Sequence, residues 1–250
     1  MRTITILLFL FVSTITLAQN ANDLFVSANS LYKDGKYEEA VQLYEQIESK
    51  KLVSTELYYN LANCYYKLNK VAPAIYNYEK ALQLNPLNED AKNNLIIAKR
   101  LTLDRIEALP KSVFQKLNEN YLQKFTYNTW AVIAVVFSLI ASILFLIFYF
   151  SYTPTKKRIF FTASMISFFL LTTSLVITYT QYNYTQNIIE AIIFDEEVSV
   201  KNEPTENANE IFTLHEGVKV NVLDAVDNWK KIKLIDGKLG WVNAESLREL

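Results

Sequence analysis

Hydrophobic and polar positions change their rhythm along this chain. Residues 21–86 repeat with a period of 34: Ala28 aligns with Ala62, Leu31 with Tyr65, Tyr37 with Val71, Ala40 with Ala74, Tyr44 with Tyr78 and Ile47 with Ala81. Such spacing predicts antiparallel helix pairs, whose alanines permit close approach while the tyrosines fill the space between successive pairs. Residues 88–103 continue with Ala91, Leu95, Ile96, Ala98 and Leu101, an apolar face suited to a capping helix. From Phe125 to Thr155, and again from Ile159 to Ile189, there is no charged residue. The densest parts, Trp130–Phe150 and Ile159–Tyr179, each supply the ~20 apolar residues that a helix needs to cross ~30 Å of hydrocarbon. After Glu190 the runs shorten to β-type segments at 191–194, 198–201, 218–223, 229–235 and 239–242, with turn residues between them. The expected fold class is a multidomain membrane protein with an all-α repeat domain, a two-helix transmembrane hairpin and a small all-β barrel.

Charge orients the hairpin. Lys156, Lys157 and Arg158 occupy the short turn, and cations beside a span favour the cytoplasmic side. The N-terminus, "MRTITILLFLFVSTITLAQ", has Arg2, an apolar stretch and small residues before Gln19, as a secretory signal does. Both observations place the two large segments outside the cytoplasmic membrane, in the periplasm. The expected layout is a signal peptide at 1–18, repeats with a capping helix at 20–105 and an amphipathic connector at 106–126, read as a short helix lying on the outer leaflet with an irregular tether as the alternative. Spans at 127–151 and 159–181 follow, around a cytoplasmic turn at 152–158, and the β domain covers 190–250. Ala134, Ser138 and Ser142 on the first span and Ala163 and Ser167 on the second form small-residue stripes where the spans should touch.

Composition narrows the chemistry. One cysteine, Cys64, and one histidine, His215, provide neither a disulfide nor a usual zinc site, and four glycines leave no phosphate loop. Residues 190–250 hold thirteen Asp/Glu against seven Lys/Arg, which argues against nucleic acid as their ligand. No cofactor is expected, and an enzyme such as an envelope hydrolase is disfavoured for lack of a nucleophile–base set.

The second helical copy reads Tyr58-x2-Leu61-Ala62-x2-Tyr65, Ala74-x3-Tyr78 and Pro86, and resembles the tetratricopeptide repeat. The resemblance implies peptide binding on the concave face. Its register assigns Phe25, Asn29, Tyr32 and Lys33 to that face in the first copy. Tyr59, Asn63, Tyr66 and Lys67 take the same positions in the second, with Asn60 nearby. Asn amides can pair with a peptide backbone, and aromatics give contact area at low entropic cost. Members of that family that clamp a carboxylate use two Asn and three bases. Here Phe25, Asp90 and Asn94 stand where bases would be, so the resemblance does not extend to capture of an acidic chain terminus.

Leu214, Glu216-Gly217 before a Val-x-Val strand, Trp229 with Lys231-Ile232, Asp236-Gly237 and Gly240-Trp241-Val242 resemble a bacterial SH3 domain. In that reading Gly240 permits close backbone approach and Trp241 fills the barrel, while His215 is a solvated turn residue. The resemblance implies binding of peptides, cell-wall peptides among them. The whole order of segments resembles the BatE-type family of the Bat (aerotolerance) operons, whose other members include von Willebrand factor A-type membrane proteins and a MoxR-type ATPase. It implies a scaffold or adaptor in an envelope-stress complex. The alternative is a peptidoglycan-binding envelope sensor that reads the wall through its SH3-like domain.

Overall fold

A computed structural model describes residues 21–250, so the signal peptide expected at 1–18 lies outside the described residues. The described chain divides into two compact units. One joins residues 21–84, Asn88–Leu109 and Glu190–Leu250, and the other comprises Asn85–Leu87 and Pro110–Ile189.

In the first unit, helix α1 covers residues 21–33, followed by α2 (Tyr37–Ser49), α3 (Thr55–Lys67), α4 (Val71–Leu84) and α5 (Glu89–Ala98). Ala28, Ala40, Ala62 and Ala74 are completely buried, and Tyr44 and Tyr78 fill the interior as their period predicts. The turns repeat as well: Gly35 and Asn69, 34 residues apart, both take a positive φ, where Gly or Asn is least strained. Ser54 and Asn88 cap α3 and α5 by accepting hydrogen bonds from the amides of Leu57 and Ala91. On α5 the buried residues are Ala91, Leu95 and Ala98, at i, i+4 and i+7. Ile96 and Leu101, expected on the same face, are exposed.

Seven strands make up the β part: β1 (Ile189–Ile193), β2 (Glu197–Lys201), β3 (Glu210–His215), β4 (Lys219–Val226), β5 (Trp229–Lys233), β6 (Leu239–Asn243) and β7 (Leu247–Glu249). They form one sheet in the order β3-β2-β6-β5-β4-β1-β7. Leu214 of the edge strand β3 and Leu247 of β7 share one buried cluster with Val200, Val220, Ile232 and Val242, so the sheet curls around a single core. Gly240 lies against β2, and a Cβ there would collide with Val200, which accounts for the glycine. The expectation for Trp241 is corrected. Side chains alternate along a strand, and since Gly240 and Val242 face the core, Trp241 must face outward. It is half-buried, and Trp229 is the buried tryptophan, with the Lys201 ammonium 5.0 Å from its ring centre.

The helical and β segments are one unit rather than two separate pieces. Helix α4 is buried on both faces, from Ala72 through Ala81 with the exception of Pro73 and Lys80. One face closes the repeats, and the other receives the sheet. Ile192 shares a core cluster with Ile75 and Tyr76, and Phe194 meets Tyr76 edge-on at 5.6 Å. The Arg248 guanidinium lies 4.2 Å from the centre of the Phe194 ring. Within this contact Glu79 accepts hydrogen bonds from Lys99 (2.7 Å) and Lys219 (2.9 Å), and Lys219 also reaches Glu190 at 2.8 Å. The turn before β4 docks here too. Glu216 accepts from the amide of Ala72, and Asp104 accepts from the amide of His215 at 2.7 Å and faces its ring Nδ1 at 3.1 Å. Gly217 has φ +85°, and a Cβ on it would come within 2.8 Å of Thr102. His215 is therefore an interface residue and not a solvated one. The first part of the expected connector also belongs to this unit: Ile106 packs on the sheet core, and the Leu109 amide donates to the Ile235 carbonyl.

The second unit holds α6 (Val113–Tyr121), α7 (Tyr127–Phe150) and α8 (Pro154–Asn187). Both α7 and α8 are long and apolar enough to cross a membrane. Lys156, Lys157 and Arg158 lie in the first turns of α8 rather than in a loop, because Pro154 starts that helix at its first position. The expected turn at 152–158 shrinks to 151–153. The contact between α7 and α8 is also rotated from the expected stripes. Ala134 and Ala141, seven residues apart, face Ser164, Ser167 and Ser174. Ser164 donates to the Ala141 carbonyl at 3.1 Å and Ser167 to the Phe137 carbonyl at 3.0 Å. Ser142 is exposed and bonds back to Ser138 of its own helix.

Candidate functional site

The concave side of the repeats is built by α1, α3 and α5. A recess of about 270 Å³ opens there, lined by Tyr32, Tyr59, Asn63, Tyr66, Lys67, Tyr78, Asn94 and Ile97. Five of the expected residues, Tyr32, Tyr59, Asn63, Tyr66 and Lys67, are among them. The other four are elsewhere. Phe25 meets Tyr44 edge-on at 5.7 Å, Lys33 is exposed, and Asn29 and Asn60 bond to each other.

A hydrogen-bond motif explains the asparagines. The Asn29 Oδ1 accepts from the Tyr44 hydroxyl at 2.6 Å and from the Asn60 amide at 2.9 Å. Thirty-four residues on, the Asn63 Oδ1 accepts from the Tyr78 hydroxyl at 2.6 Å and from the Asn94 amide at 2.9 Å. Repetition of Asn29 as Asn63 therefore has a packing cause, since each gives a buried tyrosine its acceptor. Burial pushes the hydroxyls of Tyr44 and Tyr78 well above the usual tyrosine range, so they remain neutral donors. Asn63→Ala would leave the Tyr78 hydroxyl without this partner, which typically costs about 1–3 kcal/mol. A lowered urea midpoint with unchanged slope is the expected result for that variant.

Sequence reasoning missed Tyr78, Asn94 and Ile97. The signal for Asn94 was present, because it stands one period beyond Asn60. Its amide also donates to the Tyr59 hydroxyl at 3.2 Å, so α5 takes part in the site besides capping the core. The internal bonds use Asn63 Oδ1 and Asn94 Nδ2, which leaves Asn63 Nδ2 as donor and Asn94 Oδ1 as acceptor. A donor, an acceptor, tyrosine faces and the single ammonium of Lys67 suit the backbone and side chains of a polypeptide. Cys64 lies in the buried cluster of the first repeat, and burial pushes its thiol up to about 12, far from a reactive thiolate. Among the described residues no cluster of His, Cys, Asp and Glu could hold a metal ion.

Comparison with known families agrees with the helical and the β parts. The tetratricopeptide repeat model matches residues 55–88, the α3–α4 pair. The bacterial SH3 domain model matches residues 196–248. The chain carries a tetratricopeptide repeat and a bacterial SH3 domain. No curated protein matches it. Domains of these two kinds mediate binding to proteins or peptides, and that is the function class they support.

Proposed function

We propose that this protein is a membrane-anchored scaffold that holds a polypeptide partner in the repeat groove on the extracytoplasmic side, and that it is not an enzyme. The observation that carries the reading is the recess itself, where Asn63 and Asn94 present a donor and an acceptor not engaged among the described residues, beside four tyrosines. Membrane crossing by α7 and α8 fits the union of the flanking segments. Residues before and after the pair pack in one unit, so they must share a side, as an even number of crossings requires. Three cations at the start of α8 favour the cytoplasm for the connection. The order of segments supports a BatE-like role in an envelope-stress (aerotolerance) complex, with von Willebrand factor A-type membrane proteins as partners. The bacterial SH3 match supports a second reading, a sensor that binds peptidoglycan peptides.

Protease added to spheroplasts is expected to attack the repeats and the SH3 domain while sparing the α7–α8 pair. Protection of residues 190–250 would overturn the orientation. Cross-linking and recovery from detergent extract should then yield a membrane protein partner, whereas co-sedimentation with purified cell wall would favour the sensor.

A further inference from the structure

Helix α6 leaves an apolar face open that the repeat groove does not explain. Val113, Phe114, Leu117 and Tyr121 are exposed, Phe114 by 85%. At about 100° of rotation per residue these four side chains fall within roughly 100° of the circumference. Gln115, Lys116, Asn118, Glu119 and Asn120 occupy the remainder. The helix is firmly started, with Ser112 and Gln115 forming a reciprocal capping box. Its far end is fixed to both long apolar helices. The Leu122 carbonyl accepts from the Trp130 indole of α7 at 3.0 Å and from the Gln181 amide of α8 at 2.8 Å. Phe125 packs edge-on against Trp130 at 5.9 Å, and Tyr127 against Tyr182 at 5.7 Å, so aromatic side chains gather at this one end of the pair. Aromatic residues collect in that way where a span leaves the hydrocarbon.

We infer that α6 is an interfacial helix whose Val113, Phe114, Leu117 and Tyr121 enter the headgroup–acyl boundary of the bilayer that α7 and α8 cross. This rests on the proposed crossing. Continuity selects lipid as the occupant: only five residues separate α6 from α7, and the joint is bonded to both helices at their aromatic end. Charge agrees. Lys111 pairs with the one acid of the segment, Glu119, at 2.6 Å, which leaves Lys116 and Lys124 as the net positive charge beside the face, and this suits anionic headgroups. The consequence is a helix that holds the chain entering α7 along the surface instead of letting it swing as a tether.

The test uses the full chain, with buried Cys64 left in place, in vesicles of phosphatidylethanolamine and phosphatidylglycerol. Nitroxides are placed in turn by Leu117→Cys, Glu119→Cys and Ile140→Cys, and collisions with oxygen and with a water-soluble nickel chelate are compared. The oxygen-to-nickel ratio is expected to be several-fold higher at position 117 than at 119, approaching that at 140. A lipid-like ratio at 140 with equal, water-like ratios at 117 and 119 overturns the inference alone. A label at 117 shielded from both agents also overturns it and indicates a protein cover, such as a second copy. A water-like ratio at 140 overturns the crossing itself, and this inference with it.

Discussion

Glu79→Ala is expected to release the SH3 domain from the helical repeats at a cost of about 3 kcal/mol, the lower end of what breaking a buried ion pair costs. Glu79 is 8% exposed and holds both Lys99 and Lys219. Removing its carboxylate strands Lys219 in the interface with Glu190 as its remaining partner, which is why the lower end applies. Apolar contacts between Ile75, Tyr76, Ile192 and Phe194 remain, so each part should stay folded while the docking weakens. Urea unfolding of the detergent-solubilised chain should separate into two transitions. Glu79→Leu combined with Lys219→Met should lose much less, because well-packed apolar residues can replace a buried pair at little cost. An unchanged single transition in Glu79→Ala would show that the ion cluster does not hold the interface.

The same cluster sets a pH window. Burial pushes the Glu79 carboxyl up, but Lys219 and Lys99 outweigh it and hold it below its ordinary value of about 4.3. Its contribution is therefore complete above that value and is lost as pH falls through the lower folded one. Burial pushes the Lys219 ammonium down, and Glu79 and Glu190 reverse this, leaving its pKa raised. That contribution is complete below the ordinary value of about 10.4 and is lost only at still higher pH. The contribution of Glu79 and Lys219 to docking should thus be level from about pH 5 to pH 10 and weaken on the acid side first.

Features encoded within a few neighbouring residues were legible in the sequence. The 34-residue period, the two charge-free runs and the turn glycines all led to the elements observed, since each depends on local composition or spacing. What faces what was harder to read. The stripe of Ala134, Ser138 and Ser142 was expected at the helix contact, but the buried residues of that helix are Ala134 and Ala141. Trp241 could be placed on either face until its neighbours Gly240 and Val242 were seen to point inward. The docking of the SH3 domain joins residues some 140 positions apart, such as Glu79 and Lys219, and no local pattern records such a partner. A trace remained on α4, where Ile75 and Tyr76 present an apolar face at positions that hold Val41 and Gln42 in the first repeat. In the groove Tyr32, Tyr59 and Tyr66 line the recess, but Phe25 packs on Tyr44 instead, and the first task of Asn29 and Asn63 is to satisfy Tyr44 and Tyr78 rather than a ligand.

That distinction decides which residues can test the groove. Asparagine variants disturb the fold and would confuse lost binding with lost structure. Tyr32 and Tyr66 are better placed: both line the recess, neither is fully buried, and among the described residues neither hydroxyl supplies one of the internal bonds. Both rings rest with one side against the buried clusters of the repeats, and Tyr37 meets the Tyr32 ring edge-on at 5.3 Å. Interface energy concentrates in a few aromatic anchors worth ~2 kcal/mol or more each on truncation. Tyr32→Ala with Tyr66→Ala should therefore lower partner recovery by more than tenfold, since ~1.4 kcal/mol already corresponds to that factor. Helical content and the level in the membrane should stay unchanged, and recovery should fall equally whether the partner is cross-linked before or after solubilisation. Undiminished recovery with an intact fold would place the binding surface elsewhere on the chain, and a collapsed helical signal would show that both tyrosines serve the repeat itself.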